Sequence, residues 1–85
     1  MSQKLKLLKK VLAGTGSVRF ADVLKLAKVC GFRLARVSGS HHIHTHPALT
    51  QLLNLQEYRG TAKPYQIRQL LALIEDNDLL PGELK

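Results

Sequence analysis

Three stretches of the chain carry the helical period. Leu5, Leu8 and Leu12 recur at three- and four-residue steps among Lys4, Lys6, Lys9 and Lys10. That spacing predicts an amphipathic helix over 3–13, ended by the two glycines of Gly14-Thr15-Gly16-Ser17. Phe20, Val23, Leu24 and Ala27 stand at i, i+3, i+4 and i+7 and predict a second helix from about Phe20 to Val29. Lys25 and Lys28 fall on its outer side. Asp22 lies in its first turn, where the helix dipole favours a negative charge, and Gly31 is its stop. Ile67, Leu70, Leu71 and Ile74 repeat the pattern behind Pro64, which suits a first helical turn, and this third helix ends near Asn77, before Pro81-Gly82.

Between the second and third helices the period changes to two. Phe32 and Leu34 alternate with Arg33 and Ala35, which predicts a strand over 32–38 ending at Ser38-Gly39. His41 to His46 is a second strand, stopped by Pro47, and the short connection implies an antiparallel hairpin. Leu49 to Gln56 is a third strand, with Leu53 and Leu55 on one face and Asn54 and Gln56 on the other. Glu57 to Thr61 reads as a loop. The order is α-α-β-β-β-α. The expected assembly is α+β, a three-stranded antiparallel sheet with helices on one face and the other face open.

Composition bounds what such a fold can do. Eighty-five residues suit one domain. No apolar run approaches the roughly 20 residues of a membrane helix, and the leucines at the N-terminus are interleaved with lysines, unlike a secretory signal. A membrane-surface role for that basic helix is less expected than packing, because it is short and has no interfacial aromatic residue. Cys30 stands alone, so no internal disulfide and no cysteine metal cluster is expected. It reads as a small apolar residue at a helix end, and a reducing cytoplasm fits.

Charge changes the picture more. The net charge is +7, and residues 1–70 hold twelve Lys and Arg against Asp22 and Glu57, a local charge of +10. Such a field attracts polyanions, nucleic acid above all; the plain alternative is solubility. Glu75, Asp76, Asp78 and Glu83 gather near the C-terminus, either solvated or facing a basic partner.

All four histidines lie in positions 41–46, His41-His42-Ile43-His44-Thr45-His46. Period two puts His42, His44 and His46 on one strand face and His41 with Ile43 on the other. Three histidines on one face suit zinc, but no cysteine and no nearby carboxylate offers a fourth ligand, so an exposed polar strand surface is the preferred reading for His44 and His46. No metal or small-molecule cofactor is therefore expected. His41 differs, because it follows Gly39-Ser40 directly, at the turn into the strand. Near neutral pH an imidazole there can take a proton from a ribose 2′-hydroxyl or give one to a leaving oxygen.

The combination Gly31-Phe32, Gly39-Ser40-His41-His42-Ile43, Leu53-Asn54-Leu55-Gln56 and Gly60-Thr61-Ala62-Lys63-Pro64-Tyr65-Gln66 resembles the HicA family, small toxins of type II toxin–antitoxin systems. The resemblance covers about Phe20 to Leu80. It implies an N-terminal helix extension at 1–17, a HicA-like core at 18–80 and a tail at 81–85. It also implies a fold like that of a double-stranded RNA-binding domain, metal-independent cleavage of mRNA, and a HicB antitoxin that covers the active site. The family's catalytic histidine corresponds to His41, with Gly39 and Ser40 shaping its setting; beside that correspondence His42, the next residue, is read as a supporting residue. Of the basic residues flanking this segment, Arg33, Arg36, Arg59, Lys63 and Arg68, the preferred RNA binders are Arg36 and Lys63, then Arg33, and Tyr65 can stack a base.

The chain departs from the family pattern in two places. His44 stands where many members have an aromatic or other apolar residue. Leu-Asn-Leu-Gln replaces a strand that carries a second histidine after a proline in better-known members. Either Tyr65, Lys63 or another strand histidine supplies the second acid–base group, or one histidine suffices. The alternative function is a non-catalytic RNA-binding module that represses translation by occupancy.

Overall fold

A computed structural model describes residues 3–13 and 18–84. Helix α1 spans Gln3–Ala13 and α2 spans Phe20–Val29, both where the leucine and Phe-Val-Leu-Ala spacings place them. The expected stop at Gly14-Thr15-Gly16-Ser17 lies outside the described residues. α2 ends in a Schellman turn. Phe32 N–H bonds the Ala27 carbonyl and Gly31 N–H the Lys28 carbonyl, each at 3.0 Å, and Gly31 sits at φ +94°, the left-handed conformation such a cap needs. α1 packs on α2 through its buried Val11, and Lys10 Nζ lies 3.5 Å from Asp22 Oδ2. Helix α3 spans Pro64–Asp76, with Pro64 at its first position and Asn77 as C-cap.

The sheet is antiparallel throughout and has five strands, in the order β1-β5-β4-β3-β2. β2 (Arg33–Ser38), β3 (His41–Thr45) and β4 (Leu53–Tyr58) are the three expected strands. The third starts four residues later than its alternation suggests. The Leu49 N–H turns back onto the His46 carbonyl at 3.0 Å, and the Ala48 N–H donates to His46 Nδ1 at 3.0 Å, which holds the chain after Pro47 in a turn. The expected loop at 57–61 is a hairpin. Arg59 (φ 51°) and Gly60 (φ 79°) form a two-residue turn of the type that matches strand twist. β5 (Thr61–Ala62) then pairs with β4 on one side and with β1 (Val18–Arg19) on the other. The Phe20 N–H at the start of α2 donates to the Gly60 carbonyl at 2.8 Å, satisfying a donor that the helix itself leaves open.

The helices cover one face of the sheet. Leu53 and Leu55 point into it and are fully buried with Leu26 of α2 and Leu70 of α3. Burying each such leucine is worth about 1.5–3 kcal/mol. Cross-strand partners share a face, so His42, opposite Leu55, and His44, opposite Leu53, point to the covered side. His44 is only 4 % exposed. The expected strand-surface position of His44 is thus corrected: the alternation holds, but the face it assigns to His44 is the one the helices close. Gln66 of α3 is buried too, and its Oε1 accepts the Gln56 N–H at 2.9 Å, tying α3 to β4. The α+β architecture, with helices on one face and the other open, is the expected one; the strand number is five, not three. No described helix is long and apolar enough to cross a membrane.

Candidate active site

A bulge in the edge strand builds the cationic part of the open face. Arg33 pairs with Thr45, Leu34 with His44 and Arg36 with Ile43, so the register slips by one residue at Ala35. Strict alternation puts Arg36 beside Leu34 on the covered side. The extra residue reverses this, and Arg33, Arg36 and Ser38 all share the face of Thr45, Ile43 and His41.

The turn between β2 and β3 delivers the histidine. Ser38 pairs with His41 across the two-residue loop Gly39-Ser40, and Gly39 takes φ +59° with open space around it, as a tight hairpin requires of its first central residue. The Ser40 carbonyl accepts the Glu57 N–H at 3.0 Å, and its hydroxyl accepts a hydrogen bond from Gln56 Nε2 at 3.3 Å. His41 is half-buried and stands opposite Gln56, on the face that also carries Asn54. Both ends of the Asn54 amide reach His41 Nδ1, Oδ1 at 3.2 Å and Nδ2 at 3.1 Å. Nε2 has no hydrogen-bond partner among the described residues.

Tyr58 continues this face by alternation along β4. Arg59 Cζ lies 5.4 Å and Lys63 Nζ 5.3 Å from its ring centroid, within cation–π range. Lys63 therefore stands at the Tyr58 end of the sheet and the two arginines at the β2 edge, with His41 between them in strand order. Tyr65 is exposed in the first turn of α3, where its hydroxyl accepts a 3.5 Å contact from Gln66 Nε2.

The other histidines lie on the covered side. His42 packs edge-on against Phe20, ring centroids 4.9 Å apart, and its Nδ1 donates to the Ser40 carbonyl at 3.3 Å. It braces the turn from beneath and does not join His41. His44 Nδ1 donates to the His42 carbonyl at 3.1 Å. Burial is the largest influence on His44 and pushes its pKa below 6.5. His46 is also not free strand surface. Its Nε2–H donates to the Cys30 carbonyl at 2.9 Å, its Nδ1 accepts the Ala48 N–H, and its ring packs edge-on to Phe32 at 5.0 Å. The three rings lie against different partners, and no group of three or more His, Cys, Asp or Glu is placed to hold a metal among the described residues. Cys30 is buried at the C-cap of α2, and burial pushes its thiol pKa up, as suits an unreactive packing residue.

A family model described as the HicA toxin of bacterial toxin-antitoxin matches residues 20–75. The chain belongs to the HicA toxin family. No curated protein and no solved structure matches it significantly. As a HicA chain it is the toxin of a toxin–antitoxin system, and the family implies a cognate antitoxin. The matched segment contains the open-face residues from Arg33 to Tyr58 together with Lys63 and Tyr65, whereas α1 and the C-terminal turn at Gly82–Leu84 lie outside it.

Two polar residues of the candidate site, Asn54 and Gln56, carry no mark of chemistry in the sequence. Their signal was the outward half of the Leu-Asn-Leu-Gln alternation. Only the register of β3 on β4, His41 opposite Gln56 and Ile43 opposite Asn54, turns that signal into contacts.

Proposed function

We propose that this HicA toxin is an endoribonuclease that cleaves mRNA without a metal ion, with His41 moving the proton. The observation that carries the reading is His41 itself: an imidazole held through Nδ1, with Nε2 unengaged among the described residues, on an open sheet face that also carries Arg33 and Arg36. In this mechanism Nε2 takes the proton of a ribose 2′-hydroxyl as its oxygen attacks the adjacent phosphorus. The bond to the 5′-oxygen breaks, that oxygen gains a proton, and the products carry a 2′,3′-cyclic phosphate and a 5′-hydroxyl. General acid–base assistance of this kind contributes about 10²–10⁴-fold.

Arg33, Arg36 and Lys63 bind phosphates and offset charge developing on the one being cleaved. Tyr65 stacks a base next to Lys63. Gly39 and Ser40 set the turn, and His42 supports it from the Phe20 side. The substrate places the toxin in the cytoplasm, and a HicB-like antitoxin silences it by covering the open face. One histidine then serves both proton transfers, because no second imidazole stands on its face.

Incubating purified protein with end-labelled RNA in EDTA tests the reading. New fragments ending in 2′,3′-cyclic phosphate are expected. Stable RNA binding with no new ends would instead favour repression by occupancy, the reading suggested by the single histidine.

A further inference from the structure

We infer that Asn54 is the positioning residue of the site and that it selects the protonation form in which His41 works. The inference deepens the nuclease reading and rests on it for its kinetic half. The juxtaposition is between neighbours on one sheet face: Asn54 pairs with Ile43, two residues from His41, and its amide lies against Nδ1 at 3.1–3.2 Å.

A neutral imidazole carries one proton, on either nitrogen, and the partner of one nitrogen decides the state of the other. If Nδ1–H donates to Asn54 Oδ1, Nε2 carries the lone pair and is a base. Once Nε2 has taken a proton, the same Nδ1–H still donates to Oδ1, so the imidazolium is held in the same place and can return that proton as an acid. The opposite pairing, Nδ2–H donating to Nδ1, blocks Nε2 with a proton and leaves no acceptor for a substrate. Only the Oδ1 pairing serves the whole cycle, and that is the pairing assigned to the working enzyme. An amide does this without placing a charge beside the ring. A carboxylate in its place orients the ring equally but favours the imidazolium.

The same geometry accounts for a site with one histidine. Its second requirement is not a second imidazole but a partner that stays bonded through both protonation states, and a strand asparagine at this register supplies one. Gln56 performs the parallel task one pair along, where its Nε2 holds the Ser40 hydroxyl.

The test uses ¹⁵N resonances of the His41 ring together with RNA cleavage, in the full-length protein and in Asn54→Leu and Asn54→Asp. In the unsubstituted protein with the ring neutral, the proton is expected on Nδ1. Asn54→Leu should shift the ring toward the Nε2–H form and lower kcat by about tenfold or more, with KM within about twofold, since Asn54 is not assigned to phosphate binding. Asn54→Asp should restore the Nδ1–H form and much of kcat, with the acid limb of the pH profile moved to higher pH. An unchanged tautomer and unchanged kcat in Asn54→Leu would overturn the inference. If the tautomer responds as expected but no variant, including the unsubstituted protein, cleaves RNA, the positioning role stands and the nuclease reading falls.

Discussion

Arg33 and Arg36 share one face of β2 although they are three residues apart, an odd spacing that a regular strand sends to opposite faces. The bulge at Ala35 is what joins them, and it is the reason the β2 edge of the open face is cationic. If both arginines contact phosphate, neutralising each to Gln should weaken RNA binding several-fold. Each substitution should also reduce the slope of log affinity against log salt by about 0.7 for single-stranded RNA. Titrations over a range of salt concentrations measure this, and an unchanged slope would assign the two arginines to plain solvated surface.

Gly31 and His46 make a second, structural pair. A Cβ at Gly31 would lie 2.8 Å from His46 Nε2, the nitrogen that caps the Cys30 carbonyl at the end of α2. His46→Ala removes that cap and the acceptor for Ala48 N–H, and is expected to cost about 1–3 kcal/mol of stability. Gly31→Ala adds a left-handed alanine and displaces the ring, for about 1 kcal/mol or more. Urea unfolding midpoints measure both. Because the two residues share the contact, the double variant should cost less than the sum of the single ones.

His44 makes stability depend on pH. Burial lowers its pKa from the unfolded value of 6.5, so below that value the unfolded chain binds the proton first. The contribution of neutral His44 is fully present above about pH 6.5 and is lost as the pH falls toward the lowered folded-state value. His42, through like-charge repulsion, pushes in the same direction, and the His42 carbonyl that accepts from Nδ1 opposes it. Replacing His44 with Phe should flatten the dependence of the urea midpoint in that range. A slope unchanged by His44→Phe would place the titrating group elsewhere.

The helices were legible because their faces repeat over whole turns: Leu5, Leu8 and Leu12, then Phe20, Val23, Leu24 and Ala27, then Ile67, Leu70, Leu71 and Ile74. Strand alternation was legible as well, and it separated His41 from His42 and His44 correctly. What alternation lacks is the identity of the covered face, which is settled by helices distant in sequence, so alternation alone leaves His44 on the surface while it lies in the core. Two further features are local in the fold but silent in the sequence. Ala35 carries no mark of a bulge, and Arg59-Gly60 is not among the usual hairpin-turn pairs such as Asn-Gly, although it adopts their positive φ values. Asn54 came within reach of His41 only through strand register, which no single segment of sequence encodes.

The proposed proton transfer by His41 in RNA cleavage is tested most directly by comparing the unsubstituted protein with His41→Ala on labelled RNA in EDTA. His41 is half-buried on the open face, so the variant is expected to fold, which circular dichroism checks. The unsubstituted protein is expected to leave 2′,3′-cyclic phosphate ends, and His41→Ala to cut cleavage by about 10²-fold or more, while RNA binding persists. Full cleavage by His41→Ala would contradict it.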